Sequence, residues 1–472
     1  MKRLILSEDL VEVVLTNTCL LDKFYGLTDF VLGGEIIPGD FSIYIGKHVQ
    51  PENYNLQYIF CDCQVYCNER VEYVSNELSL QNILETTYID FLRSELKVLL
   101  YLGKFPGFGN DIDGGSILAK QLIDTLKVRC HLDVAFIRKN GEEYFDSNVE
   151  NIFYYEYKDA FKNKFFRRLQ NLDTNYNAIR DFSKYDRIIT AHVSKFFGCD
   201  FGEQFWKKTI LFPMFCTHSY QRAGEIVPKQ YIELEKKVIE SVDTIITPSV
   251  EEKEDLINEY LVENKKINVI HRGISSFINF KIKTPNEDKL NLICIGSIKK
   301  QKNNLMQLEI LNKLVKNNIN ACLNLVTTIQ DDFIYNEMLD YISKNELEDH
   351  VKFHFSISQK QLADLLSSCD INISTSNWET FGRGIFEGIS SGLPTLVNSK
   401  LKVVETIVDN NFGVKFLSTV EEFYDEIIRM MNPEYYYRCA YSLRSILSKV
   451  SYKAEQNNLA NVILRIENYE GN

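Results

Sequence analysis

The chain has 472 residues, 45% of them hydrophobic, with 65 acidic and 53 basic residues and a formal net charge of −12. Its length and apolar content predict about three globular domains and exclude a disordered chain, while the acidic balance argues against a nucleic-acid partner. Eleven scattered cysteines indicate reduced thiols, and the lack of a signal-peptide core or a long apolar run predicts a cytoplasmic protein.

Residues 1–95 are predicted to form a β-rich N-terminal extension, because short apolar runs alternate there with turn signals such as Pro38-Gly39. A stretch with helical spacing, Leu78–Leu92, leads out of it. Acceptor binding, oligomerisation and bracing of the next domain remain open as its role. The strand-like runs are Leu4–Leu6, Val11–Leu15, Phe30–Leu32, Phe41–Ile45 and Gln57–Phe60.

Three cysteines in this extension, Cys61, Cys63 and Cys67, would share one face of an extended strand. A zinc site needs a fourth ligand, and only His48 is near in sequence. Buried cysteines that act as small apolar side chains are the favoured interpretation. The histidines elsewhere show no metal-binding spacing, so no metal site is predicted.

Residues 96–275 are predicted to form an α/β domain. The apolar strand Lys97–Gly103 enters a glycine-rich loop that ends at Gly114 and Gly115, where a helical pattern begins. The glycine spacing misses the dinucleotide-binding fingerprint, which disfavours an oxidoreductase. A glycine pair that opens a helix still suits the close approach of backbone to a phosphate.

Two later strands of this domain end in histidine. Asp186–His192 and Thr209–His218 are both apolar runs. A core or surface role is favoured for His192 and is the alternative for His218. Between the strands, Lys162–Arg168 interleaves basic and aromatic residues. A solvated basic face is the favoured interpretation of that segment, with peripheral contact to the inner face of a membrane as the alternative.

A polar linker around Thr284-Pro285 precedes a second α/β domain, predicted over residues 288–430. Its first strand, Leu290–Gly296, leads through Ser297 and a lysine-rich loop into a helix. A lysine at such a strand-to-helix turn is well placed to neutralise a diphosphate, and Lys302 is the candidate. The alternative is a solvated run of lysines. Residues 431–472 are predicted to be helical.

The stretch Ser374–Pro394 predicts a strand, a turn and a short helix over Arg383–Ser391, with Gly392 as a left-handed cap. Two carboxylates bracket the turn at Phe381-Gly382: Glu379 at the strand exit and Glu387 inside the helix. Carboxylates beside a helix N-terminus offer acceptors for hydroxyls next to donors for phosphate, which suits a nucleotide sugar. The alternative is that Glu387 only pairs with Arg383 on a solvated helix face.

The string Glu-x-Phe-Gly-x-x-x-x-Glu-x-x-x-x-Gly-x-Pro, from Glu379 to Pro394, resembles the signature of the retaining GT-B glycosyltransferases called "glycosyl transferases group 1", family 4. The resemblance covers roughly residues 97–430. It implies two doubly wound Rossmann-like domains facing across a cleft. The segment 96–275 would form the acceptor side and 288–430 the nucleotide-sugar side, with helices of 431–472 packing back toward the first domain.

The resemblance also implies roles for single residues. Glu387 would hold the ribose hydroxyls, Lys302 the diphosphate, and Glu379 the transferred hexose. Ser297 stands where relatives carry an arginine, so Lys299 or Lys300 would supply the second cation. The residues expected to be catalytic are Lys302, Glu379 and His218; those expected to bind the donor are Gly114, Gly115, Gly296, Ser297, Lys302, Phe381, Gly382, Arg383 and Glu387.

The implied reaction transfers a hexose or N-acetylhexosamine from a nucleoside-diphosphate sugar, above all a UDP-sugar, to a hydroxyl of a glycan, protein or small molecule. No nucleophile with an adjacent base occurs in the motif strings, which fits a same-face displacement without cofactor or metal. The alternative is a non-catalytic subunit that binds glycans or stabilises an active transferase. The sequence leaves a homo-oligomer open.

Overall fold

The computed structural model describes six strands within residues 2–73 and then residues 94–102, 114–127, 129–138, 149–156, 165, 182–193, 202–214, 216–222, 224–275, 277–285, 289–329 and 331–464. The chain divides into two compact units. The first contains Met1–Glu95 and Glu467–Asn472, and the second contains Leu96–Ile466. The run Val11–Leu15, the predicted helix Leu78–Leu92 and most of Lys162–Arg168 lie outside the described residues.

The first unit contains a six-stranded mixed sheet in the order β2-β1-β3-β4-β5-β6. The first four strands of that order pair in parallel, and β5 and β6 continue the sheet by antiparallel pairing. The side chains of the three cysteines considered for a metal site lie outside the description. The strands are β1 Lys2–Leu6, β2 Asp29–Leu32, β3 Phe41–Ile45, β4 Leu56–Cys61, β5 Gln64–Cys67 and β6 Arg70–Tyr73.

The second unit begins with a domain built on a seven-stranded sheet in the order β13-β12-β11-β10-β7-β8-β9. Numbered within the domain, this order is 7-6-5-4-1-2-3, the doubly wound arrangement of dinucleotide-binding folds. Its strands are β7 Ser94–Tyr101, β8 Cys130–Arg138, β9 Asn151–Glu156, β10 Arg187–Thr190, β11 Thr209–Leu211, β12 Thr244–Thr247 and β13 Ile267–Val269; its helices are α1 Gly114–Leu126, α2 Glu203–Trp206, α3 Thr217–Arg222, α4 Lys229–Ser241 and α5 Val250–Tyr260.

The next domain has a six-stranded sheet in the order β16-β15-β14-β17-β18-β19, in which every pairing is parallel. Numbered within the domain, the order is 3-2-1-4-5-6, so this sheet is also doubly wound. Its strands are β14 Leu290–Ile295, β15 Ala321–Thr327, β16 Val351–Phe355, β17 Ile371–Ser374, β18 Thr395–Asn398 and β19 Val414–Leu417; its helices are α6 Asn304–Lys316, α7 Asp332–Lys344, α8 Gln359–Ser368, α9 Arg383–Ser391, α10 Lys402–Val408, α11 Val420–Met430 and α12 Pro433–Ser442.

These elements follow from local sequence. Helices cover both faces of a parallel sheet, so its strands are buried on both sides, and every residue of β15, β17 and β18 is buried. Several helices begin at polar caps: Ser249 caps α5, and Ser358 forms a capping box with Gln361 at the start of α8. Asn432 precedes a proline at the first position of α12.

A final helix, α13 (Tyr452–Leu464), crosses back onto the first α/β domain. Leu459, Ala460, Ile463 and Leu464 lie in the same apolar core as residues of α1, β7 and β8. The chain therefore passes between the two α/β domains twice. The two passages run side by side, because Ile274 forms a parallel bridge with Ser451 and its N–H donates to the carbonyl of Val450 at 2.9 Å.

The architecture confirms the predicted fold class of two doubly wound α/β domains preceded by a β-rich extension. Within the described part of the chain, no helix combines the length and apolarity needed to cross a membrane. For the part of Lys162–Arg168 that is described, the structure shows only that Phe165 is buried, with its ring edge-on to Tyr220 and Tyr231.

Candidate functional site

The carboxyl ends of β14 and β17 mark the place where the strand order of the second α/β sheet reverses. In open parallel sheets a crevice forms at this point, because the loops that follow the two neighbouring strands leave toward opposite faces. Gly296 to Asn303 follows β14, and Thr375 to Gly382 follows β17. These two loops carry Lys302 and Glu379, the predicted catalytic cation and carboxylate.

Lys302 and Glu379 meet in the crevice. The Lys302 ammonium nitrogen lies 2.5 Å from Oε1 of Glu379, and the two side chains are 15% and 11% exposed. The lysine stem passes over Gly296, where an added Cβ would lie 3.4 Å from its Cε atom. Gly296 and the lysine stem are therefore neighbours, and even an added Cβ would only reach ordinary van der Waals contact with the stem.

Hydrogen bonds join the two loops. The Thr375 hydroxyl lies 3.0 Å from the carbonyl oxygens of both Lys302 and Asn303. The side-chain amide of Gln301 donates to the carbonyl of Trp378 at 2.5 Å, and the Asn377 N–H donates to the carbonyl of Gln301 at 2.9 Å. The position of Lys302 relative to Glu379 is thus fixed by backbone contacts on both sides of the ion pair.

Helix α9 begins beside this ion pair and lies close against the sheet. Gly382 precedes it with φ 85°, and Gly392 ends it with φ 90°, both in the left-handed region that favours glycine. An added Cβ on Gly384 would lie 2.5 Å from the backbone carbonyl oxygen of Ile295. One on Gly388 would lie 2.2 Å from the side-chain amide nitrogen of Asn372. These glycines let the helix approach β14 and β17.

Glu387 lies on the second turn of α9 and is only 3% exposed. Burial raises the pKa of its carboxyl, and the Arg383 guanidinium opposes that rise. Nε of Arg383 lies 3.4 Å from Oε1 of Glu387. The pairing considered as an alternative therefore exists, but it is buried rather than on a solvated face.

Arg383, which was predicted to bind the donor, also contacts the connection between the two α/β domains. Its Nη2 donates to the carbonyl of Gly273 at 3.1 Å. The ring of Phe381, another predicted donor-binding residue, is 4% exposed. It stacks on Phe386 at 4.7 Å and faces His271 at 6.4 Å between ring centroids, so this ring is part of the packing between the domains.

Ser297 provides a hydroxyl where the resemblance implies a cation. Its Oγ accepts a hydrogen bond from the Thr328 hydroxyl at 3.3 Å. Lys300 extends toward the first α/β domain, because its ammonium lies 3.9 Å from where a Cβ on Gly224 would stand. The backbone N–H of Lys299 donates to the side chain of Asn304 at 3.2 Å.

His218 lies in α3 of the first α/β domain and is 6% exposed. Its Nε2 lies 3.3 Å from both Oδ2 of Asp255 and the Ser219 hydroxyl, and its ring packs edge-on to Tyr260. Nδ1 of His218 is buried without a hydrogen-bond partner within the described residues. Asp255, Ser219 and Tyr260, which contact His218, all belong to the first α/β domain, so these contacts do not bring His218 to Lys302 and Glu379.

Sequence reasoning missed the polar groups around His218. Arg222 binds Asp255 through two hydrogen bonds of 2.5 and 2.6 Å. Burial alone would raise the pKa of Asp255, but hydrogen bonds from His218 and Arg222 lower it to about 2. Burial raises the pKa of Glu252 to about 8, and the nearby Asp255 carboxylate adds to the rise. Of these residues, only Glu252 had a sequence signal, because it lies in the acidic first turn of α5.

The remaining predicted residues lie at the start of α1. Helix α1 begins at Gly114, and Gly115 is half-buried, whereas the preceding loop, residues 103–113, falls outside the described part of the chain. Within the described residues, no group of three or more His, Cys, Asp and Glu side chains could hold a metal ion.

Comparison with known families matches residues 275–445 to the family described as "Glycosyl transferases group 1". This match makes residues 275–445 similar to a glycosyl transferases group 1 domain. This domain contains the second α/β sheet and α9, and therefore includes Lys302, Glu379, Arg383 and Glu387. His218 and the two glycines at the start of α1 lie outside it.

Two curated proteins resemble part of the chain. The GDP-Man:Man(3)GlcNAc(2)-PP-Dol alpha-1,2-mannosyltransferase of Dictyostelium discoideum is 31% identical over 146 residues, 29% of each chain. The mannosylfructose-phosphate synthase of Agrobacterium fabrum is 22% identical over 183 residues, 36% of this chain and 40% of that protein. The chain thus spans well under half the length of either relative.

Solved structures match a larger part of the chain. Sucrose-phosphate synthase from Thermosynechococcus elongatus superposes with a TM-score of 0.66 at 14% identity, over 78% of this chain and 99% of that one. Anabaena HepE in complex with UDP and glucose gives 0.61 at 12% identity, over 78% of this chain and 100% of that one. WaaG, a glycosyltransferase involved in lipopolysaccharide biosynthesis, gives 0.61 at 16% identity, over 78% and 99%. At these identities the likeness establishes the GT-B fold.

Proposed function

We propose that the protein is a retaining glycosyltransferase that moves a hexose or N-acetylhexosamine from a UDP-sugar to an acceptor hydroxyl. The observation that carries the proposal is the contact between Lys302 and Glu379 at the carboxyl ends of β14 and β17. It places one cation and one carboxylate at the crevice where open α/β sheets bind ligands. Glu387 lies on the helix that starts beside them.

The ion pair suggests how a donor would bind. A diphosphate would take Lys302 as its counter-ion, because charge-assisted contacts to phosphate are strong and the leaving group gains charge as the glycosidic bond breaks. Glu379, released from the lysine, would then accept hydrogen bonds from hydroxyls of the transferred sugar. Glu387 would hold the ribose hydroxyls. Each group would therefore exchange a protein partner for a ligand partner.

The names of similar proteins support a nucleotide-sugar donor. One curated relative uses GDP-mannose, as its name states, and the structure of Anabaena HepE was solved with UDP and glucose. Base and sugar are thus the variables that an assay must resolve. Lys302 and the helix N-terminus would stabilise the charge on the leaving diphosphate, so we propose that transfer needs neither a cofactor nor a metal ion.

The test is an assay of UDP-, GDP- and ADP-sugars, scored for hydrolysis and for transfer to a panel of glycan, protein and small-molecule acceptors. We expect a UDP-sugar to be consumed, and proton NMR to show that the product keeps the anomeric configuration of the donor. Inversion of that configuration would contradict a retaining mechanism. Loss of activity in EDTA, restored by a divalent cation, would contradict metal independence.

A second candidate function is a non-catalytic subunit that binds glycans or stabilises an active transferase. Two observations favour it: Ser297 offers no charge, and Lys302 is already neutralised by Glu379. The same assay distinguishes the two functions. A nucleotide or glycan that binds in calorimetry without turnover, across the whole panel, would support the non-catalytic function.

A further inference from the structure

The backbone of Gly273 is held by three elements at once. Its carbonyl accepts hydrogen bonds from the Gln121 side chain in α1 at 3.0 Å and from Nη2 of Arg383 in α9 at 3.1 Å. Its N–H donates to Oε2 of Glu455 in α13 at 2.7 Å. Helices from both α/β domains and the returning helix therefore converge on the backbone of one residue, Gly273.

Gly273 lies where the two chain segments that connect the α/β domains touch. An added Cβ on Gly273 would stand 2.6 Å from the backbone of Tyr452, so the two chain segments are in direct contact there. The next residue, Ile274, bonds to Val450 in the returning segment. A change in the relative position of the two domains must pass through these contacts, because both connections lie at this point.

Arg383 links this point to Glu387. The guanidinium is a planar fork, so turning one nitrogen moves the others. Nη2 bonds to the Gly273 carbonyl while Nε faces Glu387 at 3.4 Å. Nε is buried, and its distance to Glu387 is longer than that of a strong hydrogen bond between charged groups. The Glu387 contact is thus an electrostatic restraint on the orientation of the group that holds Gly273.

We propose that Arg383 is a positioning residue through which the state of the Glu387 carboxylate controls the contact between the two α/β domains at Gly273. A ligand whose hydroxyls take the Glu387 oxygens weakens the restraint on Arg383. The guanidinium then leaves the Gly273 carbonyl, and the connection between the domains loosens. The identity of that ligand as a nucleoside diphosphate rests on the proposed function; the link from Glu387 to Gly273 does not.

A double-mutant cycle tests the link without any ligand. Amide hydrogen exchange is measured by mass spectrometry on a peptide spanning Asn268–Ser275, in the wild type, Glu387→Gln, Arg383→Gln and the double variant. We expect Glu387→Gln to accelerate exchange of the protected amides about fivefold, the lower end of typical coupling between sites. In the Arg383→Gln background the same change should have no further effect, because the linking group is gone.

Gln121→Met provides the matched control, because it removes the other side-chain donor to the Gly273 carbonyl without touching Glu387. Its effect should add to that of Glu387→Gln. Circular dichroism and thermal melting establish that each variant folds, and Arg383→Lys replaces Arg383→Gln if the latter does not. Exchange unchanged in Glu387→Gln, or an equal acceleration in both arginine backgrounds, would overturn the proposal.

A second arm adds UDP, GDP or ADP to the wild type and to Arg383→Gln. We expect a bound nucleotide to accelerate exchange in the Asn268–Ser275 peptide of the wild type only. If no nucleotide binds while the mutant cycle shows coupling, the link stands and the proposed donor is wrong. If a nucleotide binds while the cycle is additive, the donor site stands and the link is wrong.

Discussion

Lys302 and Glu379 were identifiable from sequence because each follows a buried strand of a parallel sheet, and such strand ends meet at one edge. Their direct contact was not predictable, because it depends on the hydrogen bonds that tie the two loops together. Nor did the sequence show that the lysine pairs with a carboxylate of the protein itself. The pairing matters for mutagenesis, since loss of the lysine also leaves a largely buried carboxylate without its partner.

Replacement of Lys302 by alanine should lower turnover by at least tenfold, because groups that stabilise transition-state charge typically contribute about that much or more. Initial rates at saturating UDP-sugar measure the effect. Lys402→Ala is the matched control, since that lysine also forms an ion pair, with Glu405 at 2.7 Å, but is 72% exposed. Wild-type turnover in Lys302→Ala would remove the lysine from the mechanism.

Glu252 gives a prediction that depends on pH. Its pKa is raised by burial to about 8, so the folded protein keeps it protonated at pH values where the unfolded chain ionises it. The stability that the buried, protonated Glu252 carboxyl contributes is fully present below the ordinary glutamate pKa. It is lost as the pH rises toward 8. Glu252→Gln should abolish this loss and be more stable than the wild type at pH 8.5, by about 1–3 kcal/mol.

Urea unfolding at pH 5 and pH 8.5 measures that difference. The advantage of Glu252→Gln over the wild type should be much smaller at pH 5, which lies close to the ordinary glutamate pKa, so that little of the loss of stability has yet accumulated. Glu254→Gln, on an exposed position of the same helix, should follow the wild type at both pH values. A stability difference between Glu252→Gln and the wild type that does not vary with pH would contradict the assigned protonation.

Helix α9 shows how far sequence determines a single element. The predicted helix over Arg383–Ser391 and the left-handed cap at Gly392 both agree with the structure, because strong glycine and proline signals bound it. Strand β9 was missed. Ile152 and Tyr154 of this strand face one apolar core and Phe153 faces another, so its sequence lacks the alternation by which a half-buried strand is recognised.

The same helix provides a prediction about packing. Gly384→Ala would place a methyl group 2.5 Å from the carbonyl oxygen of Ile295, in strand backbone that cannot move aside cheaply. We expect a loss of about 1–3 kcal/mol in the free energy of unfolding, typical of overpacked positions. Nucleotide affinity should fall as well, because α9 carries Glu387.

Urea unfolding and calorimetric titration measure the two effects. Ser390→Ala is the control, because it changes a buried position of the same helix without adding atoms. It should change the free energy of unfolding and the nucleotide affinity only slightly. Unchanged stability in Gly384→Ala would show that the helix moves away from β14 without cost, which is incompatible with the close contact described above.

At the scale of the whole molecule, the doubly wound order of both sheets was predictable because strands and helices alternate along the chain. The environment of His218 was not. It depends on contacts between α3, α4 and α5, in which Thr217 donates to Glu235 and Arg222 binds Asp255. Nothing in the local spacing of these residues indicates which helix faces which, so the polar cluster appears only once the domain is assembled.

The return of α13 gives a prediction at this scale. Ile463 is fully buried in the core of the first α/β domain. Ile463→Ala should cost about 2–5 kcal/mol, the usual range for such truncations. The consequence should appear far away in sequence, as faster amide exchange in α1. Asn458→Ala, at an exposed position of α13, is the control. Acceleration confined to α13 would show that the helix does not support the domain.

The placement of α13 also bears on how the protein is made. The other strands and helices of the first α/β domain are translated long before Leu459 and Ile463, which complete that domain's core. Until then, part of an apolar surface has no permanent cover and is open to chaperones or to aggregation. The early domain can finish maturing only after the later one has been translated. The first α/β domain is therefore not expected to be obtainable as a fragment that ends before α13.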